Sequence, residues 1–382
     1  MDLYGERKNA WKTVVFLCLI MLVFLIGDLV QKDVFFSESE NRILASKPKL
    51  SKESVTSGKY MEQYEEYVND QFVSRNNWIA MKTHMDIWMQ KKVINGVYLA
   101  EDDYLIEQHL AEDFPQETIE KRLTLLKQLV QDYPQTKVML VPTADNILTD
   151  KLPAFAPYYD QRDLLEQVKE SVGEAHVIDM FPVLEAHTEE EIYYRTDHHW
   201  TTLGAYYGYE AFTKAYGLPT RWYLKGEMET VTDSFLGSLH SKLNLPTEAE
   251  EIKIFPRTLE TKIQITYDFT KKTNSFYSDS YLQGKNKYGY FLDDNHAVIE
   301  MEREAFSERV LFVIKDSYAN SMLPMLAHHY RKIYVLDLRY FSGNLADFMQ
   351  SCDEYGNMDV LVLYNCVHFV NDFATIQSYE DM

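Results

Sequence analysis

The chain has 382 residues, 46% hydrophobic and 25% charged, the composition of a folded protein with a sizeable core. Its 38 basic against 59 acidic residues leave a net charge of −21, which argues against nucleic acid or another polyanion as the main partner, because phosphate binding needs clustered Lys and Arg. Three cysteines without CxxC or Cys/His spacing offer no structural zinc site, and Cys352 and Cys366 are left either to pair in an oxidising compartment or to stand as buried thiols.

Residues 1–12 form a tail carrying Arg7, Lys8 and Lys12. Thr13 to Val30 is apolar apart from Asp28 near its end. That is just long enough to cross a hydrocarbon core, for which about 18–20 residues are needed. The basic residues before it predict a single-pass anchor with the N-terminus in the cytoplasm and everything after Asp28 outside. The rival is a cleaved signal peptide, against which GDLVQKDVFF offers no small-x-small site. Residues 31–113 read as a linker (35–50) and an N-terminal helical region. Its helices cover 52–70 and 76–92, the second bearing Trp78, Ile79, Met85, Trp88 and Met89.

From residue 114 to 382 helices alternate with short β-branched runs. Ile119, Leu123, Leu126 and Val130 recur at steps of three and four, predicting a helix over 115–132. Strand Lys137–Val141, helix Arg162–Val172 and strand Ala175–Met180 follow. A helix over 200–216, with Leu203, Tyr207, Ala211 and Ala215 on one face, ends at Gly217 and Pro219. Residues 220–305 are turn-rich with alternating stretches and read as an inserted β-rich subregion. Strands Val310–Ile314, Lys332–Leu336 and Asp359–Leu363 then resume the alternation. Solid apolar runs between helices predict an α/β fold with a mainly parallel sheet covered on both faces, and ligands beyond the C-terminal strand ends.

Those ends carry Ser317, the 337–344 loop with Gly343, and Asn365. A loop after 175–180 reaches Thr196-Asp197-His198-His199-Trp200. Alone, Ser317 reads as a helix N-cap and His199 as a structural histidine. Asp197 two residues before His199 changes this, since the carboxylate can fix the imidazole tautomer while the other ring nitrogen faces a nucleophile. His198 and Trp200 would point the other way, Trp200 packing under the helix. Tyr193, Tyr194, Trp200, Tyr206 and Tyr318 around the site suit sugar stacking, although core packing explains most aromatics in a chain with 28 Tyr and 20 Phe.

The successive ends Ser317, Gly343 and Asn365 resemble the Ser, Gly and Asn blocks of SGNH (GDSL) hydrolases, and Asp197 with His199 resembles that family's Asp/His block. Here the Asp/His block precedes the serine, so the order looks circularly permuted. The permuted order after an N-terminal anchor is similar to the alginate O-acetyltransferase group. SESENRILASKP, VNDQFVSRNNW, VYLAEDDYLI, YRTDHHWTTLGAY, KDSYANS and LDLRYF resemble the bacterial DHHW family more closely still. Two features depart from the wider group: KDSY stands where GDS is usual, so Lys315 replaces a glycine, and the spacing is Asp-x-His instead of Asp-x-x-His.

The resemblance implies an SGNH-like three-layer fold and a Ser317–His199–Asp197 triad. The oxyanion would rest on the Ser317 N–H, Gly343 and the Asn365 side chain, with Tyr318, Trp200, Arg339 and Asn295 as substrate contacts. It implies no cofactor and no metal. The activity implied is O-acyl transfer, with acetyl as the expected group, to an envelope or secreted polysaccharide, with a multi-spanning membrane acyltransferase as donor partner. A carbohydrate esterase and a non-catalytic polysaccharide-binding protein are the alternatives. A metal phosphoesterase using Asp197-His198-His199 with Asp293, Asp294 and His296 is a further rival, although FLDDNH reads as a turn. A DHHC-type palmitoyltransferase is excluded because Trp200 occupies the place of the nucleophilic cysteine.

Overall fold

A computed structural model describes residues 3–37, 42–221, 225–257, 262–303, 308–353, 356 and 358–373. Residues 38–41 of the expected linker, and 222–224, 258–261 and 304–305 of the expected insert, lie outside the described residues. The chain divides into two compact units: Met1–Gln90 with Ser241–Leu245, and the remainder.

In the first unit, helix α1 (Leu3–Val30) contains an apolar window, Ala10–Asp28, of the length and composition needed to cross a bilayer. The expected linker folds back on itself through a short antiparallel pairing of Phe36–Ser37 with Arg42–Ile43. Helices α2 (Lys59–Gln71) and α3 (Arg75–Trp88) follow. The Asp28 carboxylate, at the end of the apolar window, accepts the Val73 N–H at 2.8 Å and ties the α2–α3 junction to α1.

The second unit is built on a seven-stranded sheet. Its elements include α4 (Gln116–Asp132), β1 (Thr136–Val141), α5 (Arg162–Val172), α6 (Thr202–Ala215), β2 (Glu229–Phe235), β3 (Glu250–Ile254), β4 (Gln264–Tyr267), β5 (Lys271–Thr273), β6 (Val298–Glu302), β7 (Val310–Lys315), β8 (Lys332–Leu336), α7 (Leu345–Cys352), β9 (Asp359–Asn365) and α8 (Cys366–Asp372). The order across the sheet is β5-β4-β6-β8-β7-β9-β1. β8, β7, β9 and β1 pair in parallel, while β6, β4 and β5 extend the sheet antiparallel from β8. Every residue of β7 and β9 is buried, which is why these strands read as unbroken apolar runs. No disulfide joins Cys352 and Cys366, both of which are buried.

Three sequence expectations change. The single helix expected over 52–70 is broken at Gly58, whose φ of 78° is left-handed, into Lys52–Thr56 and α2. The strand expected over 175–180 is a 3₁₀ turn, Glu174–His176, plus a single parallel bridge from Val177 to Val138. Asp179 then accepts the Phe181 N–H and draws the chain into a short helix before a strand can extend. Among the described strands of 220–305, β2 and β3 pair with each other apart from the large sheet, whereas β4, β5 and β6 belong to it. Alternating polar and apolar residues in β4–β6 reflect a partly solvated sheet edge.

Helix α6 starts at an N-cap, Thr201, whose hydroxyl accepts the Gly204 N–H at 3.2 Å. Gly204 and Gly208, one turn apart, give Trp200 a flat seat. A Cβ at Gly208 would lie 2.8 Å from the indole, and one at Gly204 would lie 2.4 Å from the Ile192 carbonyl. Trp200 is fully buried there, and its Nε1–H donates to the Tyr318 carbonyl at 2.8 Å. The indole therefore joins the loop before α6 to the turn after β7.

Candidate active site

At the end of β7 the chain enters a 3₁₀ turn, Ser317–Ser321. Asp316 caps it, accepting the Tyr318 N–H at 2.9 Å with one carboxylate oxygen. The other accepts the Asn365 N–H at 2.9 Å and faces His368 Nδ1 at 3.0 Å. Asp316 is fully buried, which opposes its charge. The hydrogen bonds from His368 and Asn365 win and hold the carboxyl below its usual range. One buried carboxylate thus fixes the Ser317 turn against the end of β9.

The 193–200 loop reaches the same place. An antiparallel bridge between Tyr193 and Trp200 and the Tyr194 N–H to His199 carbonyl bond close it. In a stretched loop, residues two apart share a side, and Asp197 and His199 project together; His198, expected to point the other way, instead stays beside them, its ring tilted against His199 with centroids 3.9 Å apart and its Nδ1 3.7 Å from Asp197 Oδ1. Glu250 anchors the approach by accepting the Arg195 N–H at 2.8 Å and the Thr196 N–H at 2.7 Å.

His199 Nε2 lies 2.7 Å from Ser317 Oγ, and His199 Nδ1 lies 2.5 Å from Asp197 Oδ1. Asp197 Oδ1 also accepts the His199 N–H at 3.0 Å, and Oδ2 accepts the Ser238 N–H at 2.8 Å. Burial alone would raise the Asp197 carboxyl. The two histidines and the Ser238 amide overcome it and hold the group well below its ordinary value, so it is ionised. Gly237 makes this approach possible, because a Cβ there would lie 2.3 Å from Asp197 Cβ. Ser317 and His199 are 6% and 5% exposed, nearly enclosed. Tyr288 covers them, its ring stacked on His199 at 3.8 Å and its hydroxyl donating to the Ser317 carbonyl at 3.3 Å.

His198 Nδ1 faces Ser238 Oγ at 2.7 Å, and the His198 carbonyl accepts the Tyr318 hydroxyl. Burial and the neighbouring His199 push His198 down to about 3, so its imidazole is neutral. Ligand atoms of Asp197, His198 and His199 lie within 4.8 Å of one another and could in principle gather a cation. The carboxylate oxygens and both His199 nitrogens already hydrogen-bond to one another, to Ser238 and to Ser317. Asp293, Asp294 and His296 lie in another setting. Leu292, Asp293 and Asp294 all have positive φ, and His296 is engaged with Asp268 and Asp293.

The lysine of the serine box is explained by its surroundings. Lys315 is the last residue of a regular strand, paired with Leu363, where no glycine conformation is needed. Its Nζ, fully buried, donates to Asn320 Oδ1 (2.9 Å), Asn295 Oδ1 (3.1 Å) and Asp337 Oδ2 (3.3 Å). Asp337 also receives a two-pronged bond from Arg339, at 2.8 and 2.6 Å. Arg339 and Asn295, expected as substrate contacts, are thus members of the network that supports the turn.

Tyr318 and Trp200, expected to touch substrate, are fully buried and bonded to each other's loops. Tyr193, Tyr194 and Tyr206 are buried as well. Gly343 lies in the exposed loop before α7, where an added Cβ would meet the Phe341 ring at 2.6 Å. Asn365 caps α8, its Oδ1 accepting the His368 N–H at 2.7 Å. Sequence reading missed Tyr288, Gly237, Ser238, Asp316 and His368. Only Asp316, beside Ser317, carried a local signal.

A search of the curated proteins gives no match. Among solved structures, a DHHW family protein from Eubacterium siraeum is similar at 22% identity and a TM-score of 0.60, covering 73% of this chain and 93% of that one. Bacillus cereus PatB1, solved with a sulfonyl adduct, is similar at 20% identity and a TM-score of 0.56, covering 72% of this chain and 97% of its own. These likenesses establish the shared mixed α/β fold. The sequence model described as DHHW protein matches residues 121–336, more than half of the chain and a span that includes Asp197, His199 and Ser317. By that match, carrying the motif Asp197-His198-His199-Trp200, the chain belongs to the DHHW family.

Proposed function

We propose that this protein is a membrane-anchored O-acyltransferase acting outside the cell on an envelope or secreted polysaccharide, with Ser317 as nucleophile. The observation that carries the proposal is the 2.7 Å approach of His199 Nε2 to Ser317 Oγ, backed by the ionised Asp197 on Nδ1. Ser317 Oγ attacks the carbonyl carbon of an acyl donor while His199 takes its proton. Asp197 holds the tautomer and stabilises the imidazolium. Collapse of the tetrahedral adduct expels the donor's leaving group, protonated by His199, and leaves an acyl ester on Ser317. A sugar hydroxyl then gives its proton to His199 and attacks that ester; His199 returns the proton to Ser317 Oγ as the ester bond breaks, and the sugar departs acylated. Water in the same place gives hydrolysis, the esterase alternative.

The oxyanion is assigned to the Ser317 N–H and the Asn365 amide, with the Gly343 N–H on the exposed loop as third donor. The cap to His368 fixes Asn365 Oδ1, so Nδ2 is the free end of the amide. Nδ2 lies 3.0 Å from His368 Nδ1, but that nitrogen also faces the Asp316 carboxylate, which accepts its N–H. Burial opposes charge on His368, yet Asp316 raises it overall. With Nδ1 donating to Asp316, it has no lone pair for the Asn365 amide, whose hydrogens are left for another acceptor. Asn365→Ser keeps an N-cap oxygen but removes the amide Nδ2 donor, which the shorter hydroxyl does not replace at the same reach, so it should slow acyl transfer by about 10²- to 10³-fold with a near-wild-type melting temperature. Full activity in a stable variant would remove Asn365 from the mechanism.

We read residues 114–382 as an SGNH-like domain in circularly permuted order, 13–30 as the anchor and 1–12 as a cytoplasmic tail. A multi-spanning acyltransferase would be the donor partner. Gly237→Ala tests how closely Asp197 must be held. A Cβ at 2.3 Å forces the carboxylate away, and a displacement of about 1 Å typically costs about 10²-fold in rate. The assay for the whole proposal uses the full chain, a nitrophenyl acetate donor and envelope oligosaccharide acceptors. Acetylated sugar formed by wild type and not by Ser317→Ala supports transfer, and free acetate alone supports the esterase.

A further inference from the structure

Helix α3 is amphipathic in the opposite sense from a helix on a water-soluble surface. The side chains buried on it are Thr83 and Asp86, at 0% and 4% exposure. Trp78, Met81, Met85 and Trp88, spaced three, four and three apart, form a stripe on the other side, and Met89 prolongs it past the helix end. Met85 is 54% and Trp88 83% exposed. A helix facing water puts its polar stripe outward. Methionines flanked by two tryptophans on the outward face suit the boundary between headgroups and acyl chains.

What covers this stripe is indicated by its neighbour. The Asp28–Val73 hydrogen bond sets the start of α3 level with the end of the apolar window of α1. Trp78 leans on Phe24, one helical turn further into that window, with ring centroids 5.5 Å apart. Phe72 also stacks on Phe24, and Gly27 leaves room for Val73. Between the two helices runs a groove of about 320 Å³ lined by Phe24, Gly27, Val73, Trp78 and Met81, continuous with the apolar surface of α1. The Trp78 Nε1–H donates to the Val73 carbonyl at 3.1 Å, so the indole needs no water there.

We infer that α3 lies in the membrane–water interface, its Trp78–Met89 stripe set among lipid acyl chains and its Thr83–Asp86 side turned from the bilayer. The inference rests on the reading of α1 as an anchor. It gives the chain a second hold on the membrane, one that would restrict how the segment after the span tilts.

The test uses the full chain in lipid nanodiscs with single nitroxide labels. Cys18→Ala removes the exposed cysteine, and Cys352 and Cys366 are buried. Labels go at Met81→Cys and Met85→Cys, with Leu22→Cys as a reference inside the span. Collision with oxygen, which concentrates in lipid, is compared with collision with a water-soluble nickel chelate. The proposal expects the oxygen-to-nickel ratio at 81 and 85 to shift towards that at Leu22. Nickel-accessible labels at 81 and 85 beside a lipid-like Leu22 would overturn the interfacial helix and leave the anchor standing. Labels shielded from both reagents would mean that protein covers the stripe, overturning the proposal too. A water-accessible Leu22 would remove the anchor reading and this inference with it.

Discussion

His199→Ala is expected to abolish acyl transfer while His198→Ala retains most of it. General-base help from a positioned side chain is worth about 10²- to 10⁴-fold, and His199 is the imidazole in hydrogen-bond reach of Ser317 Oγ. Its two ring nitrogens are committed, one to the nucleophile and one to Asp197, so no rotation of a neighbour supplies the same geometry. His198 faces Ser238 and is held neutral. What it gives the turn is a backbone carbonyl for the Tyr318 hydroxyl, which alanine keeps. Its ring also packs, tilted, against His199 with centroids 3.9 Å apart, so a loss of a few-fold from looser packing is expected. Parallel turnover assays on both folded variants decide the matter. Equal, complete loss in both would favour a metal held by Asp197, His198 and His199 over a serine mechanism.

The second large effect is on stability. Lys315→Met should lower the unfolding free energy by about 3 kcal/mol, the lower end of the range for breaking a buried ion pair by deleting one partner. Burial pulls the Lys315 ammonium down and the Asp337 carboxylate opposes it, while three acceptors meet at Nζ. Methionine fills much of the volume but leaves the Asn320 and Asn295 carbonyls without that donor. Asp337 keeps its two bonds from Arg339, which is why the upper end of the range is not reached. Denaturant midpoints of the two proteins measure this. An unchanged midpoint with an unchanged slope would show that the network contributes nothing to stability.

The residues brought together at Ser317 were legible because they sit where a parallel sheet delivers its strands. An unbroken apolar run leads straight to Ser317, another to Asn365, and the Asp-x-His spacing puts two side chains on one side of a loop. Tyr288 was not legible. It comes from a 3₁₀ turn within a region whose short, alternating stretches looked separate, and nothing local shows that its ring will settle on His199. Gly237 and Ser238 were hidden for the same reason, since a glycine's importance here depends on a carboxylate forty residues away. Trp200 was expected to pack under the helix, and the seat made by Gly204 and Gly208 receives it there. Nothing local showed that Tyr318 would be buried beside it. Lys315 looked like a defect in the serine box because its buried acceptors come from three other places in the chain.

The most direct test of the serine mechanism is to trap the covalent intermediate. The full chain is incubated with an activated acetyl ester, quenched in acid, digested and read by tandem mass spectrometry. The account predicts one acetyl group on Ser317 of the peptide containing Lys315-Asp316-Ser317-Tyr318, absent from His199→Ala. No acetyl on Ser317 under any donor, including a membrane fraction supplying the native one, would contradict it and favour a binding protein on the same scaffold.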